Sequence, residues 1–394
     1  MTTAPVVRVE AIPLAAPATD PSDLDAARET VVIVVEDADG RIGIGEADGP
    51  ARAICELVEM RGRFDGSRGL AELIVGRDPF ELRANQSALF EATSYHGRRG
   101  LGIHALSGLD VALHDLAARQ LDRPVYQLLG GARRTAITPY ATIWPGGVKG
   151  RSIGELMRES GLRIARAIEL GFRAVKMEVI FDDLVTDREL VGCIRDGRAL
   201  AGDDVMFAVD FGYRWSDWRD ALFVLERIAE VDVYFAEACL GHDDVAGHRR
   251  LAARSPVRVC AGEFSATVHE CREWLEAGVD VVQPDVSRSG GLTELVRIAE
   301  LAEHHGAIVI PHAWKTGITA TAVRHFQAAV PNCPYVEMFA PELWSSPLRA
   351  GLVTPEPEIV AGRIALPTAP GLGIDLVDLT VDRYRLAREG GASG

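Results

Sequence analysis

No run of about 18 apolar residues occurs anywhere in the 394-residue chain, so no transmembrane helix is expected. The opening MTTAPVVRVE lacks the ordered basic, apolar and cleavage regions of a secretory signal, and a cytoplasmic protein is expected. Cysteine is scarce and scattered: Cys55, Cys193, Cys239, Cys260, Cys271 and Cys333 contain no C-x-x-C spacing. That argues against a disulfide framework or a zinc site, and Cys239 and Cys260 fall in predicted strands as small buried apolar residues. Basic charge is also short. With 42 Lys and Arg against 57 Asp and Glu, the net charge is −15, which argues against nucleic acid as a partner. A small anionic substrate stays open, because a local Lys, Arg or metal overrides the global field. PYATIWPGG, after the first strand of the βα region, lacks the G-x-G-x-x-G loop of dinucleotide-binding sheets.

What is present is a rhythm. Five apolar runs each close on a polar residue: FAVD on Asp210, YFAE on Glu237, CAGE on Glu263, VVQPD on Asp285 and IVIPH on His312. Successive members lie 22 to 27 residues apart. A strand, a helix and two loops take about 25–30 residues, so consecutive parallel strands each deliver one polar group. In a (β/α)₈ barrel the carboxyl ends of the strands converge on one mouth, where such enzymes hold their chemistry. Three converging carboxylates repel unless a cation lies between them, and hard oxygen ligands suit Mg²⁺.

The chain before this region is not βα-like. VVRVEAIPL, ETVVIVVED and RIGIGEAD read as strands, the last two as a hairpin through the Asp-Ala-Asp-Gly turn at 37–40. Helical periodicity follows at 49–63, 79–91 and 102–121, the last carrying Leu106, Leu109, Leu113 and Leu116. Pro124 then leads a short turn ended by Gly130-Gly131. Strands are predicted at 136–142, 174–180, 204–211, 234–239, 257–264, 281–286, 307–313 and 334–339. Eight strands in βα alternation favour a closed barrel over an open sheet. The expected fold class is α/β: a (β/α)₈ TIM barrel over 126–340, with an N-terminal α+β capping domain over 1–125. The capping domain is completed by a C-terminal tail over 341–394, with short strands at 358–360 and 363–366.

These motifs carry a resemblance. GIGE at 43–46, GRRGLGIHALSGLDVALHDLAARQLDRPVYQLLGG at 97–131, then AVKME, FAVD, YFAEA, AGE, QPDVSRSGG, IPHAW, YVEMF and the tail LPTAPGLGID follow in order. The chain resembles the enolase superfamily in its mandelate racemase/muconate lactonizing enzyme-like branch, and is most similar to its acid-sugar dehydratases. The resemblance covers nearly the whole chain. It implies Asp210, Glu237 and Glu263 as ligands of Mg²⁺, His312 as general base, Asp285 as its partner and Glu337, at the end of the eighth strand, as an acid-stabilising member of the catalytic site. It also implies a homo-oligomer.

Elementary chemistry supports those roles. A proton alpha to a carboxylate is very weakly acidic, so the ene-diolate needs a metal or cationic partner. Asp285 accepting from one ring nitrogen of His312 fixes the tautomer and frees the other nitrogen as base. Lys176 and Glu178 lie two apart on the second barrel strand and face one side. The family pattern there is Lys-x-Lys; Glu178 departs from it. Lys176 is expected to bind the substrate carboxylate or oxyanion. Glu178 is open between a carboxylate base, a partner of Lys176 and a ligand for a substrate hydroxyl. Tyr140 reads either as a substrate contact or as an aromatic plugging the barrel rim, and Trp314 with Lys315 as pocket wall. Gly212 stands where the family often has Asn, Cys239 where a Pro is common, and His114 where a Trp is frequent, the last read as packing. Arg98 and Arg99 are open between a distal substrate contact and surface. Specificity is assigned to polar loops at 15–28 and 46–53, with Asp20, Asp23 and Asp25 as hydroxyl acceptors or solvated charges.

The expected function is a Mg²⁺-dependent sugar-acid dehydratase: proton abstraction by His312, then loss of a β-hydroxyl to give a 2-keto-3-deoxy acid. The alternatives are racemisation or epimerisation at the same site, with Glu178 as opposite-face base, and a non-catalytic binding protein on an enzyme scaffold.

Overall fold

A computed structural model describes residues 3–17, 28–62, 68–95, 97–344 and 346–387. Three antiparallel strands open the chain: Val6–Ala15, Glu29–Asp37 and Ile42–Ala47. Asp37 accepts backbone N–H bonds from Asp39 and Arg41, which fixes the turn between the last two strands. The sheet lies on the helix Leu101–Gln120, which is buried along most of its length. Gly43 and Gly45 permit this approach, since a Cβ at either would come within 2.2 Å of Ala112 O or 2.0 Å of Gly108 O. The shorter helices Ala51–Glu59, Leu70–Ile74 and Leu82–Thr93 complete the cap.

Eight parallel strands follow: Pro139–Ile143, Ala174–Glu178, Met206–Asp210, Val233–Glu237, Val259–Ala261, Val281–Val282, Ile308–Val309 and Val336–Met338. Each pairs with the next as far as the seventh, and the eighth pairs back with the first, which curls the sheet into a barrel. Seventh and eighth share no ladder among the described residues. The outer helices start on good caps: Ser152 with Glu155 and Thr186 with Glu189 form reciprocal capping boxes. Tyr140, Ala174, Ala208, Phe235, Cys260 and Val281, one from each of the first six strands, and Ile310 just past the seventh form an apolar floor inside the barrel.

Several boundaries differ from those expected. The fifth, sixth and seventh strands are shorter, and for the last two the reason is covalent: Pro284 and Pro311 have no N–H for a ladder. The stretch 136–142 splits. Ala136–Ile137 pairs outward with Ile364–Ala365, and only Pro139 onward enters the barrel. In the tail, no strand forms at 358–360, where Val360 makes one isolated bridge to Arg363. Pro355 and Pro357 just before it deny that stretch regular pairing. The tail instead folds on itself through Val353–Thr354 and Asp375–Leu376, then returns to the cap, where Leu386 N donates to Pro13 O at 2.9 Å.

Cap and barrel are joined by buried polar contacts. Asp110 accepts from Thr293 N at 3.0 Å and Thr293 Oγ1 at 2.6 Å. His114 is more than packing: its Nδ1 lies 2.8 Å from Asp110 O and 3.3 Å from Asp110 Oδ2. Glu46, the last residue of GIGE, accepts from Thr30, Thr316 and Thr319 hydroxyls at 2.7, 2.8 and 2.7 Å. It therefore anchors the segment just past His312 to the capping sheet. All six cysteines are free thiols.

Candidate active site

Register brings the polar groups together. Glu178 is aligned with Asp210 on the neighbouring strand, and Asp210 with Glu237 on the next. Lys176, one pleat deeper than Glu178, is fully buried. Its Nζ lies 2.9 Å from Glu237 Oε2, 3.0 Å from Glu337 Oε1 and 3.5 Å from Asp210 Oδ2. Burial disfavours its charge, but these carboxylates outweigh burial and hold the ammonium well above its ordinary range.

The carboxylates divide by environment. Glu337 resists burial through Lys176, His312, the Thr142 hydroxyl at 2.5 Å and the Ala313 N–H at 2.7 Å, and is held down at about 2. Burial, with repulsion from Asp210 and Glu337 incompletely offset by Lys176, pushes Glu237 up to about 8. Burial likewise raises Asp210, where Glu263 adds to the effect. Glu178 is held well above the carboxylate range by loss of water and by Asp210. It makes no hydrogen bond or ion pair with any described residue, so it is not the salt-bridge partner of Lys176.

His312 stands across the same cavity. Its Nδ1 lies 2.6 Å from Asp285 Oδ2, while Asp285 Oδ1 accepts from Ser287 N at 2.7 Å and Oγ at 2.6 Å. With Nδ1–H donated to Asp285, Nε2 carries the lone pair; it is 3.4 Å from Glu263 Oε2. Burial and Arg288 oppose a charge on the ring. The bond to Asp285 and the carboxylates of Glu337 and Glu263 outweigh them and lift His312 to about 9.

The cavity has a volume of about 490 Å³. Lys176, Glu178, Asp210, Glu263, His312 and Glu337 form its polar side. Trp144 and Trp314 form an apolar wall, with Trp314 stacked on Phe339 at 4.2 Å. Gly212 has φ +56°, and a Cβ there would lie 2.6 Å from Ile180 Cγ1; Ile180 occupies the space a side chain at 212 needs.

Tyr140 does not reach this cavity. It is the second residue of its strand, so its ring belongs to the barrel floor, 5.7 Å beneath the Lys176 ammonium, and its hydroxyl has no partner among the described residues. Deleting an unsatisfied buried hydroxyl relieves a desolvation penalty. Tyr140→Phe is expected to leave kcat/KM within about twofold and stability unchanged or up to about 1 kcal/mol higher. Steady-state kinetics and thermal unfolding check this.

Other predicted positions sit elsewhere. Lys315 binds Asp48 Oδ1 at 2.6 Å and Glu29 O at 2.9 Å; it fastens the 46–53 loop and is not pocket wall. Arg98 is exposed and Arg99 pairs with Glu270 at 3.2 Å on the outside. Asp20, Asp23 and Asp25 lie outside the described residues. Four contributors escaped the sequence reading. Asp48 of the cap holds Arg288 at 2.5 Å, Arg288 lines the cavity, Gln283 donates to Glu237 Oε2 at 2.8 Å, and the Tyr213 hydroxyl donates to Glu263 Oε1. Gln283 was legible in principle, two residues before Asp285 and on the same face.

The fit of a divalent cation rests on the donors themselves. Asp210, Glu237 and Glu263 offer hard oxygens, and Glu237 Oε1 is buried without a partner among the described residues. The raised affinity of Asp210 and Glu237 for protons expresses the same unmet negative charge. No three acidic, His or Cys side chains among the described residues stand in a ready ligating cluster. Here Lys176 supplies the positive charge to Glu237 and Asp210, and Glu263 turns to Tyr213 and His312. The residues nevertheless fit the group.

Residues 161–379 match the enolase C-terminal domain-like family, and residues 5–130 match the mandelate racemase/muconate lactonizing enzyme N-terminal domain. The chain belongs to the enolase superfamily. Within the superfamily it is 32% identical over 358 residues to the L-rhamnonate dehydratase of Saccharopolyspora erythraea, covering 88% of this chain and 83% of that one. It is 28% identical over 365 residues to the D-galactarolactone cycloisomerase of Agrobacterium fabrum, covering 91% and 92%. A solved structure provisionally described as a racemase superimposes with a TM-score of 0.90 at 40% identity, covering 97% and 98%. Superfamily membership thus agrees with the barrel and cap.

Proposed function

We propose that the protein is a hydro-lyase that dehydrates a sugar acid. The observation that carries this reading is the His312–Asp285 pair, whose Nε2 faces a cavity shared with Lys176 and the carboxylates at 178, 210, 263 and 337. The substrate carboxylate docks on the Lys176 side. His312 Nε2 takes the proton alpha to that carboxylate, and Asp285 stabilises the imidazolium that forms. The electron pair left on carbon moves into the carboxylate to give an ene-diolate, with Lys176 beside the developing charge. Collapse of that intermediate breaks the β C–O bond, and the imidazolium returns its proton to the leaving hydroxyl as water. The enol then ketonises to a 2-keto-3-deoxy acid. Asp210, Glu237 and Glu263 would hold Mg²⁺, which supplies Lewis-acid stabilisation of the ene-diolate when bound. The aromatic wall of Trp144 and Trp314 keeps bulk water from the carbanion.

A second reading, racemisation or epimerisation, is favoured by one observation: Glu178 stands in the cavity with no described partner. Against it, burial and Asp210 raise the Glu178 carboxyl above its ordinary range, which favours its neutral form. Assays for a 2-keto-3-deoxy acid across mono- and diacid sugars, with Mg²⁺ and with chelator, test the proposal. Glu178→Gln is expected to retain dehydration within about tenfold. Loss of all turnover in that variant would move the reading to two-base chemistry.

The pH dependence has a definite sign. His312 must be neutral to act as base, and its raised pKa keeps it charged below about 9. kcat/KM is therefore expected to climb with pH and level off at or below about 9, the cation drawing the limb downward. A profile flat from pH 6 to 9 contradicts the assignment of His312.

A further inference from the structure

Tyr213 has no place in the chemistry above, yet the backbone holds it in a conformation tyrosine rarely adopts. The third barrel strand ends at Asp210. Gly212 and Tyr213 follow with φ of +56° and +62°, and Ala238, one residue past Glu237, has φ +50°. Left-handed conformations are sparsely populated by residues with a Cβ, and they persist where the surroundings enforce them. Here the enforcing contact is visible: Tyr213 N donates to Ala238 O at 2.6 Å, tying the turn after one carboxylate to the turn after the next. The phenol ring packs against both Phe264 and His242, at 5.9 and 5.7 Å between centroids, and those two rings also touch each other. Its hydroxyl donates to Glu263 Oε1.

The position of this bond matters. Beside the 490 Å³ cavity lies a second, of about 180 Å³, running behind the fourth and fifth strand ends. Tyr213 and Glu263 border both. Asp210 borders only the larger, and Glu237 only the smaller. Glu263 is therefore the carboxylate that must span the two to act with both neighbours, and among the described residues the Tyr213 hydroxyl is the side chain that hydrogen-bonds it. With Oε1 engaged by the phenol, Oε2 is the oxygen left toward the larger cavity, where it lies 3.4 Å from His312 Nε2.

We propose that Tyr213 is a positioning residue for divalent-cation binding: it fixes the Glu263 carboxylate so that this group acts with Asp210 and Glu237 on one ion. The proposal rests on the reading of those three carboxylates as metal ligands. Outer-shell donors that orient a ligand typically change metal affinity by about 10–100-fold when removed.

The test is Mn²⁺ binding to the full chain without substrate, read by the electron paramagnetic resonance signal of free Mn²⁺. Wild type is compared with Tyr213→Phe, Tyr213→Asn and Glu263→Gln. Tyr213→Phe keeps the ring and removes only the hydroxyl. It is expected to weaken Mn²⁺ by about 10–100-fold while the metal-free melting temperature stays that of wild type. Tyr213→Asn suits the left-handed backbone and serves if the Phe variant does not fold; it is expected to show the same loss. Mn²⁺ binding by either folded variant as tight as wild type, or tighter, overturns the proposal. Glu263→Gln separates the two levels. If it binds Mn²⁺ like wild type, or if wild type binds none, the reading of Glu263 as a ligand fails and the role of Tyr213 falls with it. If it loses Mn²⁺ while the Tyr213 variants do not, the metal reading stands and only the positioning role is lost.

Discussion

Replacing His312 by Asn is expected to lower kcat by about 10⁴-fold, the upper range for loss of a positioned acid–base group. The size follows from the number of tasks given to one ring. His312 accepts the alpha proton and, as imidazolium, returns it to the leaving hydroxyl, so one substitution removes both transfers. The carboxylates nearest the ring are not free to substitute. Glu337 is held ionised by Lys176 and two hydrogen bonds, and Asp285 is committed to the ring and to Ser287. Asn preserves a polar side chain of modest size beside Asp285, so folding should be largely retained. The checks are kcat under saturating substrate and Mn²⁺ affinity, which should change far less than kcat. Near-normal turnover would remove His312 from the mechanism.

Replacing Lys176 by Met is expected to cost about 3–5 kcal/mol of stability at pH 8 in metal-free protein, the range found when one partner of a buried ion pair is deleted. Asp210, Glu237 and Glu337 all lie within 3.5 Å of the lost ammonium. The sign with pH follows from their protonation. Without Lys176 the folded-state pKa values of Asp210 and Glu237 rise further above their unfolded values, and Glu337 loses the main charge that holds its own down. Such groups penalise folding once pH exceeds the unfolded pKa, and the penalty fades as pH falls toward it. The loss should therefore be large at pH 8 and small near pH 5, and added Mg²⁺ should recover part of it. Urea unfolding at both pH values, with and without the ion, checks this. An equal loss at both would mean that Lys176 acts through packing.

Much of this site was legible because it is periodic. Asp210, Glu237, Glu263, Asp285 and His312 each end an apolar run at βα spacing, and a closed barrel turns equal spacing along the chain into convergence in space. Lys176 and Glu178 were legible as a pair facing one way, but their different fates were not. Lys176 lies one pleat deeper, surrounded by carboxylates, while Glu178 stays at the cavity with no described partner. What escaped depends on contacts between distant segments. Asp48 and Arg288 are 240 residues apart, and nothing local in EADGP announces that its Asp secures a barrel arginine. Tyr213 escaped because its role comes from an unusual backbone turn. Tyr140 was placed at the mouth because its strand was taken to start at 136; the outward pairing of Ala136–Ile137 shifts the entry point, and the ring lies on the floor. Strand ends were drawn too long where Pro284 and Pro311 stop the ladder while the chain continues straight into the mouth.

The most direct measurement is proton NMR of candidate sugar acids in D₂O with Mg²⁺ and the wild-type protein. The account predicts, for at least one acid, loss of the alpha-proton signal together with a new C3 methylene signal, and neither change with the His312→Asn variant. Alpha-proton exchange with the β-hydroxyl retained, or conversion that persists in the variant, would contradict it.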